Sequence, residues 1–453
     1  VKQAVSFTEG PVGRQLYKMS IPMVWGLLAT MSFNAVDTFF VAQLGADQLA
    51  AMSFTFPVVM VVTSMAIGLG AGTSSVMARL LGQGQTDEAR QMAGDTLLLG
   101  TLLSVIVMLI GWLTVEPLFL LLGAEPELLP LIADYMNIWY LNTPFVLVPM
   151  VMSAMMRATG NSGVAGILMM AAAIFNAVLD PLLIFGWGPI PRMEIAGAAW
   201  ATVLTRFAMA VASLYFVAWR LNLMSGPHKA WEGLKRSWQG VLHIGLPAMG
   251  TNMIIPFASG ITVALVASHG VDAVAGFGVA MRIEPVVLIA FYSLSGVVGP
   301  FLGQNMAEPY RHRQQEALRV ILRFCLAFGL AMAVLLWLVG GTVSRWFSDS
   351  AEVVAVAVAY LAIAPISYGL YGLVMSINAS FNGLGKPFPA MAISVLRVLI
   401  LYLPLALAAQ ALWGLTGLFV ATALANAIAG VIGYFWLKRQ LHQSALQPAQ
   451  ASG

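Results

Sequence analysis

Charge is scarce in this sequence: Lys, Arg, Asp and Glu make up 9% of its 453 residues, against 60% hydrophobic. A soluble domain carries about 25% charged residues, so an ordinary water-facing enzyme is excluded. A disordered chain and a nucleic-acid binder are excluded as well, because the net charge is only +3 and no basic block forms a stripe. Cysteine is nearly missing too. Cys325 is the single one and lies in an apolar segment, so no intrachain disulfide can form. Walker A, HExxH, CxxC and G-x-S-x-G patterns are lacking, and the five histidines show no ligand spacing. The GLGAG at 68–72 falls inside an apolar run and reads as close helix packing. No ATP site is present, so any work this chain does is not driven by its own nucleotide hydrolysis, and no cofactor is expected. No charged leader with a short apolar core and a small-residue cleavage site opens the chain, so no cleaved signal peptide is expected.

What the sequence has is apolar length. Its mean hydropathy is +0.86, and the apolar residues suffice for about a dozen spans of roughly 20 residues each. Twelve stretches stand out: 18–44, 51–80, 92–122, 131–157, 163–186, 195–221, 240–268, 273–305, 316–341, 353–381, 388–411 and 414–437. Backbone polar groups facing lipid must be paired within the segment, and the runs are apolar throughout rather than alternating. An all-α polytopic membrane protein of twelve transmembrane helices follows. Of the 22 Lys and Arg residues, 17 fall on the side of the N-terminus, two (Arg192 and Arg345) on the other side, and three (Arg206, Arg282 and Arg397) within spans. The positive-inside rule then places both termini in the cytoplasm.

The chain also repeats itself. The stretch from Ile21 (IPMVWGLLATMSFNAVDTFFVAQLGADQLAA) is answered 225 residues later from Leu246 (LPAMGTNMIIPFASGITVALVASHGVDAVAG). Pro22 meets Pro247, Gly45 meets Gly270, Asp47 meets Asp272, and LGQ at 81–83 is echoed at 302–304. Six spans per half make the repeat parallel, about an axis along the membrane normal, which is a transporter architecture. The expected organisation is an N-terminal lobe over 1–221, an inter-lobe linker at 222–239, a C-terminal lobe over 240–440 and a disordered tail at 441–453.

Ionisable residues inside the apolar layer are costly and are functional candidates. They are Asp37, Asp180, Arg206, Arg282, Glu284 and Arg397, with Asp95, Arg157 and His243 nearer span ends. Asp37 has Asn34 three residues before it, and Asp180 has Asn176 four before it, each pair sharing a helical face. Pro22 reads either as a kink within span 1 or as a first-turn residue after Ser20. Glu284 reads as a structural ion pair with Arg397 or Arg206. At the repeat offset Asp37 corresponds to Thr262 and Asp180 falls near Leu403, so these two acids belong to the N-terminal half alone. Carboxyls close together in a low-dielectric cavity favour the neutral form. A protonated pair can release protons when a cationic substrate arrives, or the reverse. Met and aromatic residues suit lipophilic cations, although most of them read individually as lipid-facing.

VDTFFVAQLGADQLAA, LGQGQTDEAR, RATGNS, NAVLDPLLIFG, GWGPIP and IAGAAWAT together resemble the multidrug and toxic compound extrusion (MATE) family over residues about 10–440. Within it the chain is similar to the DinF-type branch, whose key acids lie in the N-terminal lobe. The resemblance implies Asp37, Asp180 and Asn176 as the proton- or cation-coupling site and Pro22 as the helix-bending residue. It further implies Asn34, Phe33, Ser153, Ala198 and Thr202 as the supporting cavity. Phe33, Ser153 and Ala198 stand where Tyr, Asn and Thr occur in other members, which thins the polar network. The NorM-type acids of spans 7 and 10 are missing from MIIPFASG and INASFNGLG. The implied activity is inner-membrane export of lipophilic, mainly cationic drugs by a monomer among membrane lipids, in exchange for H+. Coupling to Na+ at Asp37 and Asp180 and a lipid-linked precursor flippase are the alternatives.

Overall fold

The computed structural model describes residues 7–446. In order, the helices are α1 (Val12–Ala42), α2 (Ala46–Gly82), α3 (Thr86–Leu121), α4 (Leu129–Trp139) and α5 (Thr143–Ala158). They continue with α6 (Ser162–Ile184), α7 (Ile195–Tyr215), α8 (Trp231–Ala267), α9 (Val271–Val287) and α10 (Ile289–Gln304). The last five are α11 (Arg311–Arg345), α12 (Ala351–Ile363), α13 (Tyr368–Gly383), α14 (Pro387–Val395) and α15 (Leu403–Leu446). Among the described residues the only β feature is an isolated Trp187–Ile190 bridge.

Ten helical stretches are long and apolar enough to cross a membrane, and the α9–α10 pair, bent by 45° at Leu288, makes an eleventh. The last stretch, Pro387–Ser444, has 58 residues. A helix of that size would be about 87 Å long against a hydrocarbon core of about 30 Å. Gly414 breaks it, with φ 61° and ψ −136°, a conformation that glycine adopts without strain. Two spans result, and the total among the described residues is twelve. Leu113, Leu121 and Leu338 are more than three-quarters exposed, as lipid-facing side chains should be.

The repeat is visible at the level of single hydrogen bonds. Trp112 Nε1 donates to the Asn137 carbonyl at 2.9 Å, and 225 residues on Trp337 Nε1 donates to the Ala362 carbonyl at 2.9 Å. Both fourth spans break at a 3-10 turn, at Tyr140–Asn142 and at Ala364–Ser367. Gly45 and Gly270 precede α2 and α9 with φ of 133° and 108°.

Two compact units emerge from the contacts. Ile21–Met249 falls in the first, and Phe7–Ser20 joins the chain from Gly250 onward in the second. The boundaries therefore fall inside α1 and α8, not in the 222–239 segment. That segment belongs to the first unit, and its residues from Trp231 are already helical. Residues 441–446 continue α15, and the rest of the 441–453 segment lies outside the described residues.

Within the first unit the small residues do the close packing. A Cβ on Gly72 would lie 2.2 Å from the Val241 carbonyl oxygen, and one on Gly68 only 2.7 Å from that of Gly245, so GLGAG seats α2 against α8. Pro22 lies in the interior of α1, not at its first turn. Its missing N–H frees the carbonyl four residues earlier. A Cβ on Gly166 of α6 would come within 2.4 Å of the Pro22 carbonyl oxygen, so α1 and α6 touch backbone to backbone there. Gly166→Ala is expected to force the two helices apart and cost about 1–3 kcal/mol. Gly163→Ala, where nothing lies within 4 Å, should stay within about 0.5 kcal/mol of the parent. Thermal unfolding of the purified protein in detergent checks both.

Candidate functional site

The α1–α6 crossing brings the two predicted acids together. Asp37 on α1 is 5% exposed, while Asp180 and Asn176 on α6 are fully buried. Asn176 Nδ2 donates to Asp180 Oδ1 at 3.4 Å. Asp37 and Asp180 stand within electrostatic range of each other. Asp37 Oδ1, Asp180 Oδ2 and Asn176 Oδ1 are buried without a hydrogen-bond partner. Neither acid belongs to any of the three ion pairs found among the described residues. Pro181 follows Asp180 inside α6 and carries no N–H, which frees the carbonyl of Ala177 beside the acids.

The walls are apolar. Tyr135 of α4 lies within electrostatic range of both acids and is 4% exposed. It belongs to a core with Met136, Trp139, Ile184, Ile195 and Ala198. Thr202 Oγ1 turns back to the Ala198 carbonyl at 3.2 Å on α7. Phe33, one turn before Asp37, is covered by the Arg206 guanidinium at 5.3 Å. Between α1 and α6 runs an apolar groove of about 320 Å³, lined by Trp25, Phe33, Val36, Met170 and Ala177 among others.

One member of the expected cavity stands apart from this group. Asn34 is exposed, and its carbonyl accepts from Thr38 Oγ1 at 2.9 Å. Ser153 on α5 accepts from Arg157 Nη1 at 2.7 Å. Tyr135 was not singled out from the sequence, because a tyrosine in an apolar span carries no local mark of the helix it faces. The expected Glu284 ion pair is replaced. Its carboxylate accepts from the Tyr360 and Tyr368 hydroxyls at 2.5 and 2.7 Å, while Arg397 reaches Asn426 at 3.2 Å and stacks over Tyr371 at 4.7 Å. Tyrosine donors satisfy a buried acid without the desolvation of a second charge.

Three buried oxygens from two carboxyls and an amide, with no ion-pair partner, can take up a proton or a small cation. Two full charges side by side in this medium would be prohibitively costly. Twelve apolar spans in two repeats, with such a cluster buried in the first unit, define a secondary membrane transporter. The MatE family model matches residues 22–182 and again 247–408, starting at Pro22 and at Pro247. The chain belongs to this family, whose members are secondary transporters and not enzymes. It is 35% identical over 439 residues to a Shewanella oneidensis protein described as an FAD transporter, covering 97% of each chain. To the multidrug export protein MepA of Staphylococcus aureus it is 23% identical over 428 residues, 94% of each chain. The structure of the Vibrio cholerae MATE transporter VcmN in the bent form superposes with a TM-score of 0.90 at 30% identity, over 96% of this chain and 98% of that one.

Asn176→Ala leaves Asp180 without its amide donor. Loss of a hydrogen bond to a charged group slows a step by about ten- to a hundredfold, and the initial rate of dye efflux should fall by that amount. Asn34→Ala should transport like the parent.

Proposed function

We propose that this protein is a proton-coupled antiporter that exports lipophilic, mainly cationic compounds. The observation that carries the reading is the Asp37–Asp180–Asn176 cluster, buried and without a cationic side chain ion-paired to it. A proton held there leaves when an organic cation arrives, and its return down the proton-motive force powers the next cycle; each charge crossing is worth about 2.3 kcal/mol per 100 mV. The apolar groove on the same two helices suits a lipophilic cargo. In this reading Pro22 lets α1 change shape as Asp37 changes charge, as in the DinF-type branch. The protein works as a monomer in the inner membrane with both termini in the cytoplasm, where the basic residues concentrate.

A second reading of the cargo, a flavin dinucleotide, is supported by the FAD transporter from Shewanella oneidensis at 35% identity. There the acids bind protons only, and the anionic cargo binds elsewhere.

Everted vesicles test both readings. With an acidic lumen, parent protein is expected to drive a cationic dye inward, and Asp37→Asn and Asp180→Asn should fall to background. Full dye uptake by either variant contradicts the proton site. Strict dependence on a sodium gradient would assign Na+ as the coupling ion, and uptake of FAD without dye would establish the second cargo.

A further inference from the structure

Two helices leave the unit in which they begin. α1 starts in the second unit and enters the first after Ser20, and α8 starts in the first and enters the second after Met249. Each is held near its start by a polar clamp on the third span of the unit it starts in: α11 for α1, α3 for α8.

The α11 clamp is built on Arg313, 7% exposed and without an ion-pair partner among the described residues. Its guanidinium donates to the carbonyls of Gly10 at 2.7 Å, Phe7 at 2.9 Å and Glu9 at 3.4 Å. It also donates to Gln15 Oε1 at 2.9 Å and Asn305 Oδ1 at 3.0 Å. Phe7 is gripped further by Gln304 Oε1, which accepts from its N–H at 3.0 Å, and by Asn305 Nδ2, which donates to its carbonyl at 3.1 Å.

The α3 clamp is built on Asp95, fully buried. Its Oδ1 accepts from the His228 N–H at 2.7 Å, its Oδ2 meets His228 Nδ1 at 2.5 Å, and its carbonyl accepts from Trp238 Nε1 at 2.8 Å. Ser225 N–H donates to the Arg90 carbonyl at 3.0 Å, and Gln91 Nε2 donates to the Gly226 carbonyl at 2.6 Å. The backbones come so close that a Cβ on Gly94 would lie 2.1 Å from the Ser225 carbonyl oxygen.

Burying an arginine away from any acid, or a carboxylate for the sake of one loop, is a poor route to stability, since packed apolar side chains stabilise as well. What these charges gain is placement: several bonds converge on main-chain atoms of one short segment. Both clamps lie within the first three turns of the third span of their unit and carry opposite charges, so what they share is the element they sit on and not their chemistry. We propose that Arg313 and Asp95 are positioning residues of the transport cycle, each fixing the start of the helix that crosses into the other unit. For α1 this means that the helix bearing Asp37 is anchored in the second unit, and motion of that unit reaches the coupling acid through a fixed end. The transport role rests on the antiport reading above; the clamping itself does not.

Val12 and Leu223 are buried beside the two clamps, and the natural Cys325 is buried and serves as a silent background. Reporters Val12→Cys and Leu223→Cys are labelled with a maleimide in purified full-length protein without substrate, and cation exchange is followed in proteoliposomes. Arg313→Gln should label Val12→Cys about tenfold faster and leave Leu223→Cys unchanged; Asp95→Asn should do the reverse. Both should lower the maximal exchange rate with apparent substrate affinity unchanged. His228→Gln, at a side chain 37% exposed, should reproduce the Asp95→Asn pattern, and Arg313→Lys should give a smaller form of the Arg313→Gln one. These milder variants decide the matter if the others do not fold. Unchanged labelling overturns the clamps, and faster labelling with an unchanged maximal rate overturns their role in transport. Parent protein that exchanges no cation under a proton gradient would contradict the antiport reading instead, while the labelling still tests the clamps.

Discussion

Two carboxyls buried together in an apolar layer impose the constraint around which the first unit is built. Without a cation between them they cannot both be charged at tolerable cost. The surroundings offer no arginine or lysine in ion-pair contact with either acid. The proposed coupling role requires this: an acid without a fixed counter-charge is free to answer an outside proton or cation. The rest of the unit serves that condition: Gly166 lets α1 approach α6, Asn176 orients one carboxyl, and Tyr135 and Ala198 close the wall against water.

The two halves share a scaffold and differ in what they bury. The paired tryptophan bonds and the broken fourth spans repeat at one offset, so the backbone frame is common. Within that frame the first unit keeps unpartnered acid oxygens, whereas the second surrounds Glu284 with tyrosine hydroxyls. A satisfied acid holds structure; an unsatisfied one is available for exchange. Under the proposed antiport reading, this difference concentrates the chemistry in the first unit.

Most of the fold was legible because hydropathy, loop charge and repeat spacing are each written locally. The acids were legible for the same reason, since a carboxyl in an apolar run is costly and stands out, although the sequence alone does not separate a satisfied acid such as Glu284 from Asp37 and Asp180. Other features depend on which distant helix a side chain meets. Tyr135 joins the site through α4, and Arg313 finds its partners about 300 residues away. Asn34 shares a helical face with Asp37 by spacing, yet it is exposed while Asp37 is buried. The unit boundary inside α1 was equally hidden, since a continuous helix shows no break in its sequence.

Proton release on cargo binding tests the central relation most directly. Purified protein in weakly buffered detergent solution, mixed with a cationic substrate beside a pH indicator, should release protons in proportion to binding, and Asp37→Asn should bind without release. Equal release from parent and variant, or binding with no release by the parent, would contradict a coupling site at the Asp37–Asp180 pair.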